Sequence, residues 1–247
     1  MAEISPDLIN LLRAARQVAV LTGAGISAES DIPTFREAQT GLWSKYDPQE
    51  LATPEAFQKN PKLVWEWYAW RRELVAKAKP NAGHVALAEL ARRIPQFTLI
   101  TQNVDNLHQD AGSQNVIELH GNIRRTKCSL EGVIVVTWVD TGEVPPRCPH
   151  CGARLRPDVV WFGEPLPAEA LNAAIEAATT CDLFFSIGTS GLVEPAASLA
   201  RVALQHRAAV IEINPTATPL SAAATFILHA PAGEVLPQLV RAAWPEP

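Results

Sequence analysis

The sequence predicts an α/β protein: a doubly wound, parallel, Rossmann-like sheet with a smaller helical and ribbon-like domain made of two insertions. Short apolar runs that read as buried strands, at residues 18–22, 97–101, 183–188, 209–214 and 225–229, are separated by stretches with helical patterning. The first run ends in Gly23-Ala-Gly25-Ile-Ser-Ala28, a turn whose two glycines let the backbone approach a pyrophosphate. On its own, G-x-G-x-x-A fits an ordinary tight turn as well as a phosphate-binding one. The motifs beginning at Gly23, Gln102, Gly188 and Asn214 each follow a strand directly, which is where an open parallel sheet binds its ligand.

Leu8, Leu11, Leu12 and Ala15 recur at helical spacing, so residues 5–16 read as an amphipathic helix leading into the first strand. In a dehydrogenase the glycine turn opens a long helix, and a second strand then ends in an acidic residue about 20 positions on. Here Pro33 arrives eight residues after Gly25, and position 43 is Trp43. An early proline argues against a long helix. Ile32-Pro33-Thr34-Phe35-Arg36 reads instead as a loop able to fold over a bound nucleotide, and the site is not one for hydride transfer. A helix over 81–93 precedes the strand 97–101, a helix over 195–206 separates the strands 183–188 and 209–214, and a last helix near 234–243 follows the strand 225–229. Two segments, roughly 34–80 and 122–157, break this rhythm. The expected organisation is a discontinuous nucleotide-binding domain, residues 1–33, 81–121 and 158–247, and a small domain, residues 34–80 and 122–157.

A chain of 247 residues, 47% hydrophobic and 19% charged, has the composition of a soluble globular protein. Its net charge of −5 gives no chain-wide attraction to nucleic acid or to an anionic membrane. The start, Met1-Ala-Glu-Ile-Ser-Pro-Asp-Leu8, lacks a positive signal-peptide region, and no run approaches the ~20 apolar residues of a membrane span. Four cysteines, two of them in a C-x-x-C, point to a reducing compartment and to metal or redox chemistry rather than a disulfide framework. A cytoplasmic location, a monomer, and no nucleic-acid or membrane partner are the expectations.

Leu63-Val-Trp65-Glu-Trp67-Tyr68-Ala-Trp70-Arg71-Arg-Glu-Leu74-Val75 reads as a helix. Leu63, Trp67, Trp70 and Leu74 make one row, and Val64, Tyr68, Arg71 and Val75 the row beside it. Tyr68 and Arg71 share a face. A cation on a largely apolar row needs a partner. Either Arg71 snorkels or is salt-bridged internally, or it is a receptor for a carboxylate, with the guanidinium forked onto it and the phenol donating a hydrogen bond.

Gln102-Asn103-Val-Asp105 follows the strand 97–101, so Asn103 and Asp105 stand at the sheet's carboxyl edge, able to hold a ribose and an amide. An Asx turn capping the next helix is the plainer alternative. His108 lies on that helix with no evident role. His120 ends the short apolar run 116–119; a lone histidine there is structural or, with its ordinary pKa near 6.5, a general base. Cys148-Pro-His-Cys151 is a zinc-knuckle half-site. The upstream half begins at Cys128, yet Cys128-Ser-Leu-Glu131-Gly132 holds no second cysteine. Three thiolates would bind a structural zinc with Glu131, His150 or another residue as fourth ligand, making the small domain zinc-ribbon-like. Alternatively there is no metal, and the apolar run Val133-Ile-Val-Val-Thr-Trp138 holds the fold. Cys181, at the edge of a predicted strand, reads as a buried small residue.

The stretch Gly23-Ala-Gly-Ile-Ser-Ala-Glu-Ser-Asp-Ile-Pro-Thr-Phe-Arg36 resembles the signature of the sirtuins, NAD-dependent protein lysine deacylases. Thr101-Gln-Asn-Val-Asp105, His120-Gly121, Gly188-Thr-Ser190 and Asn214-Pro215 follow in that family's order, and the resemblance runs from about Val18 to Leu239. Asp31 stands where the family has glycine, and Glu194 where it often has an aromatic. The resemblance implies NAD contacts from Gly23, Ala24, Gly25, Ile26, Ala28, Glu29, Phe35, Arg36, Gln102, Gly188, Thr189, Ser190, Asn214, Pro215, Thr216 and the Ala232 backbone. It implies that Asn103 orients the ribose, Asp105 holds the carboxamide of the departing nicotinamide, and His120 is the base; the products are free lysine, nicotinamide and O-acyl-ADP-ribose. Tyr68-x-x-Arg71, with small Ala52, is similar to the class that removes succinyl, malonyl or glutaryl groups, acetyl groups remaining acceptable. Val160, Trp161, Phe162, Gly163 and Glu164 resemble the segment whose backbone pairs with an acylated-lysine protein substrate as a β strand. For the metal it implies a structural role for Cys128, Cys148 and Cys151. The rivals are a protein ADP-ribosyltransferase on the same scaffold, a nucleotide-binding interaction module, and a redox Rossmann enzyme.

Overall fold

The computed structural model of the chain describes residues 4–32 and 46–245. Its centre is β1 (Gln17–Thr22), in a six-stranded sheet with β2 (Gln96–Thr101), β3 (Ile117–Glu118), β6 (Leu183–Ile187), β7 (Ala209–Ile213) and β8 (Phe226–Leu228). The order is β3-β2-β1-β6-β7-β8 and every pairing is parallel. Side chains of a strand alternate between faces, and β1 shows it. Val18 and Val20 enter one core with Leu8 and Leu12, Leu87 and Leu90, and Leu236 and Leu239, whereas Ala19 and Leu21 enter a second with Phe184, Ala174, Leu199 and Ala203. The first core belongs to helices α1 (Pro6–Ala14), α5 (Ala82–Arg93) and α9 (Ala232–Ala243), the second to α7 (Ala168–Thr180) and α8 (Leu199–Gln205). Helices thus cover both faces, and the strand order reverses direction between β1 and β6, the topological switch point of a doubly wound sheet.

The helix expected over 195–206 is two pieces, a 3₁₀ turn Ala196–Ser198 followed by α8. Residues Ala24–Ser30 are 3₁₀ rather than α, in keeping with the proline signal. The segment ends on Asp31 at φ 59°, ψ 23°, the left-handed conformation for which glycine is best suited and which aspartate tolerates better than most residues.

Three further helices lead back to β2: α2 (Pro48–Leu51), α3 (Pro54–Lys59) and α4 (Pro61–Lys77). The Thr53 hydroxyl accepts the Ala56 N–H and the Asn60 side chain that of Leu63, both at 3.1 Å, and a proline follows each cap. Val64, Trp67, Tyr68 and Val75 are the buried residues of α4. They pack with Leu51, Ala52, Phe57, Ile123, Val159 and Trp161. The last three come from an antiparallel ribbon, β4 (Gly121–Cys128) with β5 (Leu155–Val159), and the turn after it.

The apolar run 133–138 is mostly exposed. Val133 and Ile134 are each 46% exposed and Val136 is 84% exposed; only Val135 is buried. Val135 joins Cys128, Cys148 and Leu155 in one thin layer, with Trp65 and Trp138 packed against it, so the run contributes Val135 and Trp138 to the ribbon and leaves its other apolar side chains outside.

Candidate active site

The loop after β1 is clamped to the end of β6. The Gly23 N–H donates to the Ile187 carbonyl at 3.0 Å, and the Gly25 N–H to that of Gly188 at 2.8 Å. Ile26 plugs into the core while Ala24 and Gly25 stay half-buried. Ala28 and Glu29 are exposed. The Glu29 carboxylate accepts the Gly233 N–H at 2.7 Å, capping the N-terminus of α9, where Pro231 and buried Ala232 offer no capping side chain. The loop, β6 and α9 therefore meet at one edge, beside Thr189 and Ser190. Asn214, Pro215 and Thr216 leave the end of β7, Asn214 donating to the Thr216 carbonyl at 2.8 Å. Phe35 and Arg36 lie outside the described residues.

On the other side of β1, Asn103 donates through Nδ2 to the Gly23 carbonyl and to Ser27 Oγ, both at 3.1 Å. Ser27 Oγ donates to Asp105 Oδ2 at 2.7 Å, and the other carboxylate oxygen accepts the Leu107 N–H at 2.9 Å. Asp105 thus forms the expected Asx-type cap and still reaches the glycine loop. Its burial raises its pKa, the two hydrogen bonds opposing the shift. Gln102 bonds twice: its side chain to Thr189 Oγ1 at 3.0 Å, and its carbonyl to His120 Nδ1 at 2.8 Å. A carbonyl only accepts, so Nδ1 carries the proton and Nε2 the lone pair. Burial lowers the His120 pKa, the hydrogen bond to Gln102 opposing it. The ring is held as a neutral base.

Behind this row lies a buried polar chain that the sequence reading missed. The Asn81 N–H donates to His84 Nδ1 at 3.3 Å, which leaves the His84 Nε2–H to meet Ser27 Oγ at 3.5 Å. His108 Nε2 meets Thr22 Oγ1 at 2.9 Å, Thr22 donates to Thr101 Oγ1 at 2.8 Å, and that hydroxyl accepts the Asn103 N–H at 3.0 Å. The two imidazoles lie 4.9 Å apart. Burial brings His84 down to about 4, and burial with the neighbouring His84 brings His108 to about 3. Ser27 was in view inside the glycine motif, as its fifth residue.

Toward α4, the Tyr68 hydroxyl accepts the Trp161 indole N–H at 3.0 Å, so its own proton remains for another acceptor. Burial lifts that phenol to about 12, against the charge of Arg71, and it stays protonated at neutral pH. The Arg71 guanidinium lies 5.0 Å from the Trp67 ring centroid and 5.9 Å from that of Tyr68. Burial lowers its pKa, while Tyr68 and Asp105 act in the opposite sense. Buried Ala52 accepts the Phe162 N–H at 2.9 Å. The Val160 N–H goes to the His120 carbonyl, the Glu164 N–H to that of Trp161, and the Trp161 N–H to the Glu164 carboxylate. Glu164 also forks onto buried Arg156 at 2.5 and 2.8 Å. Its side chain serves the fold, and a peptide beside residues 160–164 would find four of their N–H groups already bonded within the chain. Gly163 has φ of 87°, in the left-handed region that favours glycine.

The cysteines gather elsewhere. Sγ of Cys128, Cys148 and Cys151 and a Glu131 carboxylate oxygen all lie within 4.8 Å of one another, a donor set suited to zinc. His150 is not of the group. Cys181 is buried before β6, and burial raises its thiol to about 11.

A glycine loop at the switch point of a parallel sheet, flanked by an amide–carboxylate pair and a neutral histidine, defines a nucleotide-binding α/β protein with a base at the sheet edge. The Sir2 family profile matches residues 23–195, and the chain belongs to the Sir2 family. The NAD-dependent protein deacylase 2 of Pyrobaculum aerophilum is 51% identical over 234 residues, 95% of this chain and 94% of the relative. A solved complex of a Sir2 homologue with NAD superposes with a TM-score of 0.90 at 46% identity, covering 98% of this chain and 94% of the other. A Sir2 protein bound to acetylated peptide superposes at 0.86 and 31% identity, covering 97% and 98%.

Proposed function

We propose that this chain is an NAD-dependent protein lysine deacylase that favours acyl groups ending in a carboxylate. Deacylation by NAD follows from family membership and from relatives that carry that activity in their names. When bound, NAD supplies a ribose carbon that takes up the acyl oxygen as nicotinamide leaves, and an ADP-ribose that accepts the acyl group. The chain's own residues do the rest. The glycine loop, Thr189 and Ser190, Asn214 to Thr216 and the Ala232 backbone are assigned to the dinucleotide. Asn103 and Asp105, locked through Ser27, orient the nicotinamide ribose and its carboxamide. His120 accepts a proton at Nε2 from a ribose hydroxyl, because Nδ1 is occupied by the Gln102 carbonyl.

The observation that carries the acyl preference is the pair on α4. The protonated Tyr68 hydroxyl and the Arg71 guanidinium stand one helical turn apart, and small Ala52 lies in the same buried cluster as Tyr68. A guanidinium and a phenol offer a carboxylate charge-assisted hydrogen bonds. The outer edge of residues 160–164 is assigned to the substrate peptide, through its carbonyls and Gly163.

The test is mass spectrometry of one lysine peptide, acetylated or succinylated, with and without NAD, for wild type, His120→Ala and Arg71→Met. NAD-dependent loss of succinyl, abolished by the first substitution and selectively weakened by the second, supports the reading. Loss of acetyl alone removes the role of Arg71. NAD-dependent nicotinamide release with ADP-ribose left on protein and the acyl group in place would instead mark an ADP-ribosyltransferase.

A further inference from the structure

We propose that Glu131 is the fourth ligand of the cysteine centre, which is therefore a three-thiolate, one-carboxylate zinc site. Two turns of the ribbon are built alike. In Cys128-Ser-Leu-Glu131-Gly132 the glycine N–H donates to the Cys128 carbonyl at 3.0 Å, and in Cys148-Pro-His-Cys151-Gly152 the glycine N–H donates to that of Cys148 at 2.9 Å. The two glycines have φ of 71° and 74°. The first cysteine of each turn donates its N–H just beyond it, Cys128 to Val133 at 2.9 Å and Cys148 to Ala153 at 2.7 Å. A further bond from the Ser129 N–H to the Arg154 carbonyl, at 3.0 Å, locks turn to turn. In this alignment Glu131 stands where Cys151 stands in the other turn, and His150 matches Leu130, which is 75% exposed. The turn that lacks a second cysteine holds an acid in that cysteine's place.

The distances suit one ion. Cys128 and Cys151 sulfurs are 3.4 Å apart, and all four donor atoms fall within 4.8 Å; a tetrahedral zinc with Zn–S of 2.3 Å separates its donors by about 3.8 Å. Glutamate in place of cysteine preserves the site's formal charge, since carboxylate and thiolate each carry one negative charge. Zinc accepts sulfur and oxygen donors alike. The ribbon gains from the ion, because only a thin layer of Cys128, Val135, Cys148 and Leu155 joins the two turns and most of its apolar run faces solvent. None of this depends on the acyl preference proposed above.

The full-length protein is tested for zinc content, for zinc affinity by competition with a chromophoric chelator, and for the absorption spectrum of its cobalt(II) form. The variants are Glu131→Ala, Glu131→Cys and His150→Ala. One zinc per chain is expected. Loss of an outer-shell partner alone costs 10–100-fold in affinity, so Glu131→Ala should lose at least about tenfold, and His150→Ala should lose nothing. Glu131→Cys should retain zinc and intensify the sulfur-to-cobalt charge-transfer band, a readout that stands even if Glu131→Ala fails to fold. Unchanged affinity in Glu131→Ala, lost affinity in His150→Ala, an unaltered cobalt band in Glu131→Cys, or a wild type that binds no zinc would each overturn the assignment.

Discussion

Gly25 and Gly188 stand back to back across the switch point: the Gly25 N–H donates to the Gly188 carbonyl at 2.8 Å, and a methyl group added to Gly25 would meet the Gly188 Cα at 2.7 Å. Both neighbours are backbone and cannot swing aside, and Gly188 has φ of +60°. Gly25→Ala is therefore expected to push the nucleotide loop off β6, lowering stability by about 1–3 kcal/mol and NAD affinity with it. Calorimetric titration with NAD and a thermal melt would read both effects, and an alanine variant that binds and melts like wild type would refute the clamp.

The hydrogen bond from His120 Nδ1 to Gln102 fixes which nitrogen is basic, and burial sets the pH range. With its pKa below the ordinary histidine value, His120 is already neutral at pH 7. The acidic limb of kcat/KM should accordingly rise with pH, have its midpoint below 6.5, and be flat above about pH 7. His120→Asn should lower kcat by about 10²–10⁴-fold while NAD still binds. A limb centred above pH 7 would count against His120 as the base.

Much of this architecture was readable in the residues because strand and loop follow each other so regularly. A β-branched run, two glycines, an early proline and a polar motif after each later strand leave few topologies open, and the observed sheet places Gly23, Gln102, Gly188 and Asn214 at the same edge. What could not be read depends on register and depth. Ser27, His84 and His108 are 57 and 24 residues apart in sequence, and only the packing of α5 against the glycine loop reveals that they form one buried chain. The run 133–138 is apolar in sequence, yet only Val135 of it is buried, because the ribbon offers no more than a thin layer to pack against. Spacing could propose Glu131 or His150 for the metal; the folded turns separate them, by bringing Glu131 and not His150 among the three sulfurs.

Tyr68 and Arg71 yield different losses when altered. Arg71→Met removes the charge and should raise KM for a succinyl-lysine peptide about 10–100-fold, the worth of one charged hydrogen bond, with little change for acetyl-lysine. Tyr68→Phe should do less to KM but also strand the buried Trp161 indole N–H, which now donates to the phenol, costing about 1–3 kcal/mol of stability. Steady-state kinetics on both peptides, beside thermal melts, distinguish the two. Equal losses on acetyl and succinyl substrates would assign Arg71 a purely structural role.

The buried imidazoles make acid sensitivity a property of the site's scaffold. His84 and His108 have folded pKa values of about 4 and about 3, against an ordinary 6.5. In the unfolded chain both bind protons once the pH falls below 6.5, whereas in the folded chain they remain neutral, so the unfolded state carries up to two more protons. Stability therefore rises with pH in this window, and it is lost as pH falls from 6.5 toward 4, by up to about 2.7 kcal/mol per pH unit for two protons. His108→Asn removes one of the sites. It should lower stability at pH 7, through the lost bond to Thr22, yet flatten the dependence of the melting temperature on pH between 6.5 and 4.5. Parallel slopes for wild type and variant would place the acid sensitivity in other groups, whereas a flatter slope ties the nucleotide loop's integrity to the neutrality of the histidines behind Ser27 and Asn103.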